Sequence, residues 1–408
     1  MLNKKALAAS VSAPPAEYVE DVFSTYLYTG TNANQTITNN IDLSGEGGLV
    51  WLKNRGGGYS YSHFLFDTNR GANNILISNQ TLGEIQNSST TLTSFNSNGF
   101  SLGADTADDG TNKNNVPYVS WTFRKAEKFF DVVTYTGNGV ARNISHNLGS
   151  VPGMIIIKLL NQSSDWVVYH RGMPNTDYLY LNATNGSSEV PDYWNDTTPT
   201  STTFRVNTNT AVNSDGQPYV AYLFAHDAGG FGTAGTDNII SCGSFTTDGS
   251  GNATVNLGYE PQWVILKPST ATGSWIMLDT MRGWVNSSGN DDKQLSANTS
   301  SAESSLARGN PTATGFVYEN PITSATFIYM AIRRPMKTPT SGTEVFSVTT
   351  GNFTTPKTVT TNFPVDLCYS TRTGAGTRHF NDRLRGGTTT AYNYLATNST
   401  SAELTGVS

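Results

Sequence analysis

The chain has 408 residues, with 25 basic and 31 acidic side chains and a net charge of −6. A net negative balance gives no electrostatic footprint for nucleic acid, and no apolar run reaches the ~18 residues of a membrane-spanning helix. Two distant cysteines, Cys242 and Cys368, supply neither a disulfide framework nor a metal-ligand spacing.

Only 14% of residues are charged, while 11% are aromatic. A chain this poor in charge and rich in β-branched, aromatic and turn residues reads as all-β. Residues 1–22 come first. Lys4 and Lys5 precede a short apolar stretch, Ala6 to Ala13, that two serines interrupt. It is too weak for the core of a secretory signal. Pro14-Pro15 imposes extended backbone, so residues 1–22 are predicted to be an arm that docks on a partner.

Four segments then follow one plan, and self-similarity of this kind is the strongest signal in the chain. Residues 23–124 open with a strand ending in a Gly turn, Tyr26 to Gly30. An apolar strand closed by a lysine follows, Leu49 to Lys53, then a strand running into Asp67-Thr68-Asn69-Arg70-Gly71. The aromatic strand Tyr118 to Phe123 closes the segment. Residues 129–227 repeat the plan with Val132 to Gly137, Ile155 to Lys158, His170-Arg171-Gly172 and Tyr219 to Phe224. Residues 238–334 repeat it with Phe245 to Gly249, Val264 to Lys267, Asp279 to Gly283 and Phe327 to Ile332. Residues 343–408 begin it again with Val348 to Gly351, Val365 to Ser370 and Asp382 to Gly386. They hold no closing aromatic strand and read as an incomplete fourth repeat. Six to eight short strands in roughly 100 residues is the rhythm of a β-sandwich. The predicted architecture is therefore a set of tandem β-sandwich-like repeats in an elongated array. Lys125–Lys128, Asp227–Thr236 and Met336–Gly342 read as joints between repeats.

The repeated Asp-x-x-Arg-Gly is the clearest constellation: Asp67, Arg70 and Gly71; Asp279, Arg282 and Gly283; Asp382, Arg385 and Gly386. It reads as a structural corner, with glycine at positive φ and an Asp–Arg pair. In the second repeat His170 stands where the aspartate would fall. Lys53, Lys158 and Lys267 read as exposed strand ends or as guards of a sheet edge. Asp108-Asp109, Asp291-Asp292 and Glu319 are acids that a glycosidase pair would need, but adjacent acids on loops suit solvated turns. The run from Asp105 to Gly110 fits a calcium loop poorly. His63, His146, His170, His226 and His379 are dispersed, and His63 and His379 fall near the corners as repeat-encoded surface positions. No nucleophile, phosphate or metalloprotease motif is present. No catalytic, cofactor or metal site is assigned, and the chain is expected not to be an enzyme. The loop aromatics Tyr59, Tyr61, Tyr193, Trp194 and Trp284 suit either sugar stacking or packing between domains.

The opening Leu-Asn-Lys-Lys, the run Glu20 to Gly30, Gly48-Leu49-Val50-Trp51-Leu52-Lys53-Asn54-Arg55 and Leu65 to Gly71 resemble a family of virion proteins from short-tailed bacteriophages of marine bacteria, cyanobacteria included. The resemblance spans residues 17 to about 335 and continues less closely beyond. It implies a tail fibre or similar appendage in the virion, assembled in the host cytoplasm, without cofactor, nucleic-acid partner or membrane insertion. It further implies a homotrimer, bound to other tail proteins through the N-terminal arm and meeting a host surface glycan or protein. The alternatives are a polysaccharide-binding or polysaccharide-degrading tailspike or adhesin, and a head decoration or neck protein made of the same modules. The resemblance carries no catalytic motif.

Overall fold

The computed structural model describes residues 16–350, apart from 57, 87–88, 106–109 and 286–291, together with 361, 365–371, 376, 378–382 and 391–407. The first unit has strands β1 (Phe23–Thr29), β2 (Gln35–Thr38), β3 (Gly48–Asn54), β4 (Phe64–Asp67), β5 (Asn74–Ile77), β6 (Ile85–Gln86), β7 (Leu92–Asn96), β8 (Gly99–Leu102) and β9 (Pro117–Arg124). They pair antiparallel into a large sheet, β1-β9-β3-β4-β5-β6, and a small one, β2-β8-β7. Alternation along each strand sorts the side chains of the large sheet onto two faces. Val50, Leu52, Phe64 and Phe66 pack with Ile37 and Phe100 of the small sheet, forming the interior of a sandwich. Leu49, Trp51, Leu65, Leu76, Trp121 and Phe123 point the other way, into a second core. Gly30 ends β1 because the chain passes close there: a Cβ would lie 2.2 Å from the Lys113 carbonyl oxygen.

The other two complete units reproduce this order. In the second, the large sheet runs Phe130–Thr136, Pro218–Phe224, Met154–Leu159, Val167–His170, Asp177–Tyr180, Ser188–Glu189. In the third it runs Ile240–Thr246, Thr326–Arg333, Pro261–Pro268, Ile276–Asp279, Asp292–Ser296, Ser304–Leu306. Each has a small sheet opposite, so the all-β, sandwich-like repeat is the architecture of the chain.

The units are not strung out in line. The second core joins Trp121 and Phe123 to Trp166, Tyr222 and Phe224 of the second unit and to Trp263, Met330 and Ile332 of the third. The Phe123 ring lies 5.5 Å from that of Phe224 and 5.9 Å from that of Trp263. The first and third units also meet through their backbones, where the Glu303 N–H donates to the Arg55 carbonyl at 2.9 Å. Residues 18–334 therefore form a closed triangle, in place of the elongated array expected. The reason lies in the second apolar face of each large sheet. An open row would leave that face bare at its ends, whereas three sheets facing one another cover all of it.

The last residues of the expected docking arm belong to this body. Helix α1 (Val19–Val22) buries Val19 and Val22 in the shared core. Glu17 pairs with Arg124, and its carbonyl accepts the Gly232 N–H. Glu20 Oε1 accepts the N–H groups of Met336 and Lys337 at 2.8 and 2.7 Å. These contacts tie the entry of the body to its exit. Residues 1–15 of the arm lie outside the described residues. The expected joint Asp227–Thr236 is packed as well, with Phe231 buried. The C-terminal strands Leu367–Ser370, His379–Asp382, Ala391–Ala396 and Leu404–Val407 make one antiparallel meander. Among the described residues, no helix is long and apolar enough to cross a membrane.

Candidate functional site: the junctions between units

The corners stand at the ends of β4 and its counterparts. Asp67 Oδ1 accepts the N–H groups of Asn69 and Arg70 at 3.1 and 3.0 Å, while Oδ2 accepts Arg70 Nε at 2.5 Å. Arg70 also donates to the carbonyls of Leu65 and Asn74 and to Glu84. In the third unit Asp279 holds Arg282 N at 2.8 Å and Arg282 Nε at 2.5 Å, and Arg282 reaches the Met277 carbonyl. Gly71 and Gly283 follow at φ of +94° and +112°, where a side chain would be strained. Asp382 ends its strand in the same way, and Arg385 and Gly386 lie outside the described residues.

Each corner also reaches the closing strand of another unit. Asp67 Oδ2 accepts the Tyr222 hydroxyl of the second unit at 2.8 Å. Asp279 Oδ2 accepts Trp121 Nε1 of the first unit at 3.1 Å. The second corner completes the cycle with His170, whose Nε2 meets the Tyr329 carbonyl of the third unit at 3.0 Å. The Gly172 N–H donates to His170 Nδ1, which fixes the tautomer with the proton on Nε2. The substitution has a physical cause. Strand pairing places Trp121, Tyr222 and Met330 at one equivalent position, opposite Trp51, Ile156 and Ile265. Met330 has no donor to offer. A carboxylate facing it would be buried without that partner, whereas a neutral histidine donates to backbone instead. Burial lowers His170 to about 4, which keeps it neutral.

The lysines overturn their expected role as exposed strand ends, because all three are fully buried. Lys53 donates to the Asn54 carbonyl and side chain and, across the junction, to the Ser300 carbonyl at 3.1 Å. Lys158 reaches the Thr81 carbonyl of the first unit at 3.0 Å and its own Ser164 at 2.7 Å. Lys267 reaches Thr184 of the second unit at 2.8 Å and its own Gly273 at 2.6 Å. Each ammonium thus ties its own turn to the neighbour's chain. Backbone bonds run beside them: Ser164 N to Thr81 O, Gly273 N to Thr184 O, Glu303 N to Arg55 O. Burial lowers Lys53 to about 7 and Lys158 and Lys267 to about 8.

A third set of contacts repeats the cycle. Trp166 Nε1 donates to the Ile77 carbonyl at 2.9 Å and Trp275 Nε1 to the Tyr180 carbonyl at 2.8 Å. The first unit has His63 at that place. It is buried rather than on the surface, accepts Trp51 Nε1 at 2.9 Å on Nδ1, and faces the Ser296 backbone. Burial first, then the nearby Lys53, holds it well below the usual histidine range.

The remaining candidates do not converge. Asp105 folds back on its own loop, its Oδ2 accepting the N–H groups of Gly110, Thr111 and Asn112 at 2.9–3.0 Å. Asp108, Asp109 and Asp291 lie outside the described residues, Asp292 is buried, and Glu319 is exposed on another strand. Among the described residues, no group of three or more His, Cys, Asp or Glu side chains gathers to hold a metal. Tyr193, Trp194 and Trp284 are core residues. Tyr59 and Tyr61 stack on each other 5.1 Å apart, with Tyr59 at the surface.

Residues 18–334 match the family model described as a domain of unknown function, DUF7483. The chain belongs to that family. The DUF7483 span starts at the residue before α1 and ends just past the closing strand of the third unit, so its unit is the whole triangle rather than one repeat. Comparison with curated proteins gives no match.

Proposed function

We propose that this chain is a structural virion protein, a tail fibre or similar appendage rather than an enzyme. It would assemble as a homotrimer in the host cytoplasm, join other tail proteins through its N-terminus and contribute to host adsorption. One observation carries the reading. The repeated polar side chains, among them Asp67, Asp279, His170 and the three lysines, spend their hydrogen bonds on neighbouring units. Such groups build a stiff body and leave few side chains over for chemistry. The likeness to marine phage virion proteins at Glu20 to Gly30 and Gly48 to Arg55 points the same way.

A sugar-binding role on that body is favoured by one surface. An open groove of about 710 Å³ on the first unit is lined by Asn34, Gln35, Thr36, Thr93, Ser94 and Ser101. Uncharged hydroxyl and amide groups of this kind suit a neutral host glycan. Antibody to this chain, viewed on intact particles by electron microscopy, tests the main reading. Label on tail appendages is expected. Label on the head or neck, or none on the particle, would sink it.

A further inference from the structure

The four C-terminal strands repeat β3 to β6 in register. Leu367 pairs with Asp382 as Leu49 does with Asp67, Met154 with His170 and Trp263 with Asp279. The Arg378 N–H donates to Asn398 Oδ1, as His63, Trp166 and Trp275 donate to Asn79, Asn182 and Asn298. The two faces of the meander can therefore be compared with those of a complete unit, position by position.

On the face that meets the unit's own small sheet, Val50, Leu52, Phe64 and Phe66 become Cys368, Ser370, His379 and Asn381. On the face that meets the other two units, Leu49, Trp51, Leu65 and Leu76 become Leu367, Tyr369, Phe380 and Leu395. The sandwich face has become mostly polar, keeping Tyr394 and Ala396 where Ile75 and Ile77 stand, and the face for the threefold core has stayed apolar. Leu367 and Tyr369 are 52% and 49% exposed. Apolar sheet faces of this kind are normally covered. The same chain shows what covers this one, because three sheets in this register pack by the equivalent face in residues 18–334.

We propose that the C-terminal meanders of three copies of this chain pack through Leu367, Tyr369, Phe380 and Leu395, repeating between chains the closure that the first three units achieve within one. The occupant of the face is two further copies of the chain. Arg378 of each copy would face the Ala396 carbonyl of the next, as Trp166 faces Ile77 and Trp275 faces Tyr180. The proposal rests on the appendage reading only for its trimer. Particle labelling can fail while the trimer stands, and the reverse.

Light scattering on the full chain is the test. A mass three times the 43.9 kDa of one chain is expected. Leu367→Asp with Phe380→Asp should give single chains, and Ser370→Asp with Asn381→Asp, on the opposite face, should stay trimeric. All seven tryptophans lie between Trp51 and Trp284, so their fluorescence reports whether the body stays folded in each variant. Leu367→Cys in a Cys368→Ser background should also cross-link between chains with a short bis-maleimide. A wild-type monomer or dimer would overturn the proposal. So would a trimer that survives the Leu367/Phe380 change, or a folded Leu367→Cys chain that forms no cross-link.

Discussion

Tyr222→Phe removes one oxygen from the junction between the first two units and changes little else in shape. The hydroxyl donates to Asp67 Oδ2 at 2.8 Å, and both residues are fully buried. Asp67 keeps Arg70 Nε and two backbone N–H groups, so its charge is not left bare. A hydrogen bond to a charged group contributes ~1.5–3 kcal/mol, and with the other partners retained a loss of about 2 kcal/mol is expected. Urea unfolding followed by tryptophan fluorescence and by far-UV circular dichroism measures it. The tryptophans sit in all three units, so a closed body should show one transition in both signals, shifted as a whole. A loss below ~0.5 kcal/mol would refute the junction, since that is within the range of an ordinary surface change. Separate transitions for separate units would refute the closure.

Three further outcomes follow from the same contacts. His170 holds its proton less tightly folded, at about 4, than unfolded at 6.5, so stability should fall as pH drops through that window; the loss is about 3 kcal/mol, and His170→Gln should flatten it in acid titrations of unfolding. Lys53 releases its proton near 7 when folded and near 10.5 when unfolded, so it adds stability as pH rises between the two; Lys53→Met should remove its share of that slope, leaving the part that Lys158 and Lys267 add above about 8, and an unchanged slope would contradict the burial. Glu20→Ala should speed hydrogen exchange at the Met336 and Lys337 amides, which Glu20 caps, and unaltered protection there would count against the tie between entry and exit.

The repeat, its strands and its corner were legible because each rests on local signals: alternation in Tyr118 to Phe123, glycine after Arg70 and Arg282, an apolar run before each lysine. The closure was not legible, because the lysines and tryptophans reach backbone carbonyls of another unit. Any residue supplies a carbonyl, so Ser300, Thr81 and Thr184 leave no mark in the sequence. Reading Lys53 as an edge guard failed for that reason. One signal was available. The repeat that lacks the corner aspartate meets the closing strand whose equivalent residue, Met330, lacks a donor, while the two aspartates meet Trp121 and Tyr222. The burial of α1 was also missed, since Val19 and Val22 alone make too short an apolar pattern beside two prolines. In the fourth repeat the split between Leu367, Tyr369 and Phe380 on one face and Ser370, His379 and Asn381 on the other could be read only once the register was known.

The closure of the first unit onto the third is the centre of the account, and a single cross-link tests it. Arg55 and Glu303 are adjacent across that junction, with Nε and Oε2 2.9 Å apart and a backbone bond beside them. Arg55→Cys/Glu303→Cys in a Cys368→Ser background should oxidise to a disulfide within one chain, identified by peptide mapping as a joined pair of peptides. A folded protein that forms no such link, or forms it only between chains, would contradict the closed triangle.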